Sequence, residues 1–304
     1  MKESLNENDF VDLTEIIKTF WVNKIFILCF SFFFGVFSIF YSLSLPNIYT
    51  SSAVLQISSE ENSNQLSSFG NQFSSLASLA GISQISGSDK TEFALAKLKS
   101  REFVKHLISV RDISPEIIAA DFFSNETETL SFDDQYDLSS KKWVRKPSQN
   151  RNVVPSILEI HFELNKSFNA SLDKDSGFIK LEFSHISPIF AKDFLDLAIK
   201  EINNIAKQKD KLESAKALDY LQIELKSTQK KDIIDSINEL IRNQLNKKML
   251  SNIKDDYLLS TIDTPFVPEK KSSPSRALIC IFFTLIGTLL GIIIVSLRKI
   301  FFSS

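Results

Sequence analysis

The sequence predicts an α+β membrane protein in which two transmembrane helices flank an α/β base that carries a long helical hairpin. Three observations predict it. Two apolar stretches near the ends carry no charge, alternating apolar strands lie between them, and Ile189–Thr264 runs for 76 positions without Gly or Pro. The composition excludes other classes. Of 304 residues, 35 are Lys or Arg and 37 are Asp or Glu, a net charge of −2, so the chain is neither a basic nucleic-acid binder nor an acidic tail. Hydrophobic residues make up 43%, which argues against wholesale disorder.

The first span is Ile25–Leu45, 21 positions with seven Phe and four Ser. A helix rising ~1.5 Å per residue needs roughly 20 apolar residues to cross a ~30 Å hydrocarbon core. The second span, Ala277–Leu297, has the same length and is flanked by Arg276 and by Arg298–Lys299. Two buried core helices are the alternative, but core helices rarely run this long with no charge on any face. A cleaved signal peptide is the other alternative for the first span. Its leader, residues 1–24, carries three Lys and five acids and leads to no clear small-x-small site, so an uncleaved anchor is expected. Lys2, Lys18, Lys24, Arg298 and Lys299 lie on the terminal side, against Lys270, Lys271 and Arg276 on the other, which favours both termini in the cytoplasm. Cys29 and Cys280 both fall inside the spans, so the body between them forms no disulfide and no zinc cluster.

After the first span, Tyr49, Ala53, Leu55 and Ile57 alternate with Thr50, Ser52, Val54 and Gln56, the period of a strand. Residues 58–88 read as a loop with a small apolar patch, Leu76, Leu79 and Ile82. Asp89 with Glu92 resembles a capping box, opening one helix to about Val110 with Phe93, Ala96, Phe103, Leu107 and Ile108 on its apolar side. Ser114-Pro115-Glu116 starts another helix. Residues 124–156 read as polar and irregular, with Trp143 the exception. Leu158, Ile160, Phe162 and Leu164 alternate as a strand, and Phe178–Phe183 as a second, joined through the turn residues Asp173–Gly177.

Ser187-Pro188 then opens very long helix. Unbroken to Thr264 it would reach ~114 Å at ~1.5 Å per residue, although both its ends belong near the membrane. A break is therefore expected at Lys226–Asp232, which has no large apolar residue, giving an ascending and a descending arm. On the descending arm Ile237, Ile241, Leu245, Met249, Ile253 and Tyr257 stand four apart, a stripe that winds around the helix. Intrachain packing and self-association fit it equally well.

Signs of catalysis are few. No phosphate-binding glycine loop, dinucleotide fingerprint or nucleophile elbow occurs, and His106, His161 and His185 are isolated. The acids of 116–137 fall in polar loop sequence, so a solvated surface is expected. No catalytic, cofactor-binding or metal-binding residue is assigned. In the second span Gly287-x-x-x-Gly291 permits close helix approach in lipid. Before it, Pro265, Pro268 and Pro274 make a rigid, non-helical approach to the membrane.

This layout resembles the polysaccharide co-polymerase family, the chain-length determinant (Wzz) proteins of bacterial O-antigen. The resemblance covers nearly the whole chain. It is carried by Tyr49–Ile57 directly after a span, by Ser88–Ile108 (SDKTEFALAKLKSREFVKHLI), and by the Ile262–Arg276 segment with Asp263-Thr264-Pro265, Pro268-Glu269-Lys270 and Pro274-Ser275-Arg276. It implies an inner-membrane protein with a cytoplasmic segment 1–24, a span 25–45, a periplasmic domain 46–276, a span 277–297 and a short tail 298–304. Within the periplasmic domain it implies an α/β base 46–187, long helices 188–260 and a proline-rich segment 261–276. It further implies a homo-oligomer that is not an enzyme. Such a protein sets glycan length beside a membrane polysaccharide polymerase, with the growing glycan chain and the lipid bilayer as further partners and no nucleic acid. Only seven residues follow the second span, so the branch with a cytoplasmic kinase is not expected on this chain. Two other classes fit the layout less well. A two-span sensor needs a signalling output inside the cell, and an exporter-associated adaptor commonly has one span and a lipoyl-like β domain.

Overall fold

The computed structural model describes residues 21–58, 87–148 and 151–302. The expected loop patch at Leu76, Leu79 and Ile82 and most of the leader lie outside them. The chain divides into two units, Met1–Asn47 with Lys271–Ser304, and Ile48–Lys270.

The first unit is a helix pair. Helix α1, Lys24–Ser44, exposes Phe26, Phe32, Phe33, Phe37 and Phe40, which in water would be unfavourable and in hydrocarbon is not. Its partner is the last helix of the chain, Arg276–Phe302, which continues past the charge-free stretch through Arg298. Both are long and apolar enough to cross a membrane.

The second unit is built on a four-stranded antiparallel sheet. Strand β1, Tyr49–Ile57, is followed by helices α2 (Gly87–Leu98), α3 (Arg101–Val110) and α4 (Ser114–Ile118). Two small ribbons come next, β2 (Ala120–Ser124) with β3 (Thr129–Phe132), and β4 (Tyr136–Asp137) with β5 (Lys142–Trp143). Helix α5 (Ile157–Ser167) leads into β6 (Phe168–Leu172) and β7 (Ile179–His185). The arms are α6 (Pro188–Ser227) and α7 (Lys231–Ile253), after which β8 (Leu259–Asp263) returns to the sheet and α8 is the span Arg276–Phe302. The strand order is β6-β7-β1-β8.

Alternation in β1 and β7 buries Tyr49, Ser51, Ala53 and Leu55 on one strand and Ile179, Leu181 and Phe183 on the other. Ala53 lies opposite Leu181. Against this face the first half of α6 lays Phe190, Phe194, Leu195, Ala198 and Ile202, all buried. The Phe183 and Phe194 rings stand 4.1 Å apart, at the heart of the core.

Several sequence expectations are corrected. Residues 158–164 are helix, not strand. Ile160 and Leu164, four apart, are buried, whereas Leu158 and Phe162 are 59% and 63% exposed. Even spacing concealed a helical face, and the start signal was Ser156, whose Oγ accepts from the Glu159 N–H at 3.2 Å. The first strand of the hairpin is instead β6, entered without a turn residue. The connecting turn is as read: Gly177 has φ +73°, and Asp173 accepts from the Ser176 hydroxyl and the Asp175 N–H.

The helix expected from Asp89 to Val110 is two helices. The first begins at Gly87, so Asp89 lies inside it, and Ser100 caps the second by accepting from the Phe103 N–H at 3.1 Å. Ala96 is exposed, and Ala94 and Leu98 are buried in its place. At 112–116 the turn is held by Asp112, which accepts from the Ser114 N–H, while Ser114 makes no side-chain cap. Within the stretch 124–156 read as irregular, Thr129–Phe132, Tyr136–Asp137 and Lys142–Trp143 are ribbon strands. Strand β8, read as part of the arm and proline-rich segments, is an edge strand of the base.

The break in the long helical run falls at Thr228–Lys230, inside the expected stretch. The 40 residues of α6 span ~60 Å and the 23 of α7 ~35 Å at ~1.5 Å per residue. Leu218 and Leu221 of α6 and Ile237 of α7 are buried between the arms. Lower down, Lys247 Nζ meets Asp210 Oδ1 and Lys207 Nζ meets Asp255 Oδ1, each at 3.1 Å.

Candidate functional site

The histidines serve the fold. His185 lies in the core region, stacked on Phe183. Its Nδ1 accepts from the Ser187 N–H at 3.0 Å, so its Nε2 carries the proton and donates to the Glu116 carbonyl at 2.9 Å. Burial holds its pKa below the ordinary histidine range. His106 pairs with Glu201 at 2.6 Å, and His161 lies 2.9 Å from the Lys99 carbonyl. Among the described residues no group of three His, Cys, Asp or Glu is arranged to hold a metal. The acids of 116–137 are mostly turn formers. Asp133 accepts from the Gln135 N–H and Asp137 from the Ser139 N–H. Glu116 is the exception: it lies largely buried beside Arg111, and burial raises its pKa.

The five residues singled out in the sequence do not form one site. Gly287 and Gly291 share the face of α8 that meets α1. A Cβ built on Gly287 would stand 2.7 Å from Phe34 Cβ, and one on Gly291 would stand 3.4 Å from Ile27 Cα. Beside them the Ser31 and Thr288 hydroxyls are hydrogen-bonded at 2.9 Å. Gly287→Leu is expected to force the helices apart, at about 1–3 kcal/mol for such overpacking. Cross-linking of Ser31→Cys to Thr288→Cys, with Cys29 and Cys280 replaced by Ser, should fall in that variant and recover when Phe34→Ala is added.

Pro265 and Pro268 are buried in the other unit, where the intervening Phe266 carbonyl accepts from the Ser51 hydroxyl at 2.7 Å. That bond carries the chain alongside β1 after β8 ends. Pro274 precedes α8, and the Ser273–Pro274 peptide is cis.

Two surface features stand out, of which only the first is absent from the sequence reading. Where α6 leaves the sheet, a cleft of about 410 Å³ is lined by Asp196, Lys200, Asn204, Lys207, Asp255 and Thr261, among others. Its lining sets donors and acceptors beside apolar surface from Ile199 and Pro265. Its floor is fixed by Asn203, which ties α6 to the start of β8. On the descending arm the winding stripe is fully buried at Ile237 near the tip and part-buried at Ile241 and at Tyr257, which packs against the base core. Ile237 packs against α6, while Leu245, Met249 and Ile253 are exposed, Ile253 by 72%. On α6 Leu212, Tyr220 and Ile223 are exposed as well.

Residues 9–110 match the family described as chain length determinant protein, Wzz. The resemblance drawn from the sequence therefore holds over that span. No curated protein sequence matches the chain. Among solved structures it is similar to one described as a full-length bacterial polysaccharide co-polymerase, with 13% identity and a TM-score of 0.43, covering 96% of this chain and 99% of that one. It is also similar to a fragment of WzzB, a polysaccharide co-polymerase from Salmonella Typhimurium, with 11% identity and a TM-score of 0.28, covering 75% and 100%.

Proposed function

Starting from the chain length determinant domain at residues 9–110, we propose that this chain is a non-catalytic regulator of surface-polysaccharide length, lipopolysaccharide O-antigen being the first candidate. The family match carries the reading. The helix pair and the Ile48–Lys270 unit support it as an inner-membrane anchor and a periplasmic body. The exposed apolar residues of the arms support a homo-oligomer, because water-facing Leu212, Tyr220, Ile223, Met249 and Ile253 gain by being covered. The cleft and the arms are the surface we assign to the growing glycan, held beside a membrane polymerase that makes the bonds.

The deciding experiment is deletion of the gene followed by gel separation of the surface glycan. The expected result is loss of the modal band cluster, with glycan still made. Unchanged banding would refute the reading. The placement has its own test. The body has no cysteine of its own, so Asp255→Cys, at a fully exposed position, reports alone. With the two span cysteines replaced by Ser, it should react with a membrane-impermeant maleimide in intact spheroplasts. Reaction only after lysis would place the body inside the cell.

A further inference from the structure

We propose that Lys271, in the segment leading into α8, and Arg276, the first residue of α8, bind the phosphate group of a membrane lipid. The inference rests on the membrane placement above and adds a ligand to it. Lys271 Nζ and Arg276 Nη2 both donate to one atom, Asn47 Oδ1, at 3.3 and 3.1 Å. Two like charges thus converge on a single neutral acceptor, and neither has a carboxylate partner among the described residues. Such convergence is unfavourable until an anion joins it.

The guanidinium is also under-used. Arg276 Nε is shielded from solvent and has no hydrogen-bond partner among the described residues. A buried donor without an acceptor is a standing penalty that a ligand can relieve. Rotation of the side chain would offer its Nε–Nη edge to two phosphate oxygens, the geometry for which Arg is suited and Lys is not, while Lys271 supplies a point charge beside it.

The backbone adds to the same field. Helix α8 opens at Arg276 with no acidic residue in its first turn, so the free N–H groups and positive end of a 27-residue helix are left uncompensated. The depth is right for a headgroup, too. Exposed Leu278, Ile281 and Phe282 follow within two turns, so hydrocarbon contact begins directly after the cationic cluster. At that boundary the abundant anion is phosphate carried by lipid. The simpler reading, two side chains reaching for any headgroup layer, predicts no preference for these positions over the cations at the other end of α8.

The test is native mass spectrometry of the full-length chain in detergent, with phosphatidylglycerol, diacylglycerol or inorganic phosphate added. Wild type should retain phosphatidylglycerol and not diacylglycerol. The Lys271→Gln/Arg276→Gln variant should retain roughly tenfold less, the equivalent of one charge-assisted hydrogen bond. Arg298→Gln/Lys299→Gln should retain as much as wild type. Matching elution and circular dichroism would show the variants folded. Equal retention by wild type and the Lys271/Arg276 variant, or an equal loss at 298–299, would overturn the site. Efficient competition by inorganic phosphate would overturn the lipid source and leave a free-phosphate site. The two readings fail separately. A wild-type chain that stays in the supernatant without detergent defeats the membrane placement, whereas a membrane-bound chain indifferent to these substitutions defeats only the site.

Discussion

Asn203→Leu is expected to lower the melting temperature of the detergent-solubilised chain by about 6–12 °C, from a loss of roughly 3 kcal/mol. Asn203 is 3% exposed. Its Oδ1 accepts from the N–H groups of Leu258 and Leu259, both at 2.8 Å, and its Nδ2 donates to the Leu259 carbonyl at 2.9 Å. The network fixes the amide orientation, because only the oxygen can face two donors. Leucine keeps the branched shape, though it is bulkier, and orphans three backbone groups, each at about 1–3 kcal/mol. Its extra apolar burial returns about 2 kcal/mol at most, so the loss dominates. Near-UV circular dichroism against temperature reads the shift, and an unchanged midpoint would contradict the account.

The second large effect is expected at Arg145, whose side chain is 4% exposed. Its two terminal nitrogens grip both oxygens of Glu159, and its Nε donates to the Asn152 and Val153 carbonyls at 2.8 and 2.9 Å. Its guanidinium also lies 5.6 Å from the Trp143 ring. One side chain thus clamps the ribbon segment to the first turn of α5. Arg145→Ala is expected to cost about 3 kcal/mol, the low end for a broken buried pair, because Glu159 keeps some solvent contact and Arg151 lies 3.8 Å away. Arg145→Lys should recover little, since it loses the fork. The hydrogen bonds and charge of Arg145 hold the Glu159 pKa below the usual carboxylate range. A depressed folded pKa gives stability that is present above the unfolded value and lost as pH falls through the folded one. Arg145→Ala should therefore flatten the acid limb of the stability profile. An equally steep limb in the variant would show that the pair does not set it.

Much of this architecture was legible because it follows from charge and period. The spans announce themselves by 21 charge-free positions each, and the arms by a run without Gly or Pro broken at one polar stretch. Strands β1 and β7 alternate cleanly, because each presents one face to α6. The misreadings have local causes. Residues 158–164 carry apolar side chains on both sides of a helix, so the strand period fits as well as the helical one. Strand β8 has only five residues, of which Leu259 alone is fully buried, too few to show alternation. Asn203 and Arg145 were illegible for a different reason. Each acts on partners that the fold brings near, 56 residues away for Leu259 and 14 for Glu159, and nothing local marks either position. The glycines of α8 were visible as a spacing, but only the approach of Phe34 shows which helix they admit.

Strands β1 and β8 are neighbours, and the Ser51–Phe266 bond holds the chain after β8 beside the start of β1. The body therefore begins and finishes at one place, as a closed ring of chain would. A circular permutant with new termini at Thr228–Lys230 and a short Gly-Ser bridge joining residues 48 and 268 should fold with the same sheet. Severing the tip would then uncouple the two arms, so that each could be varied without changing the other.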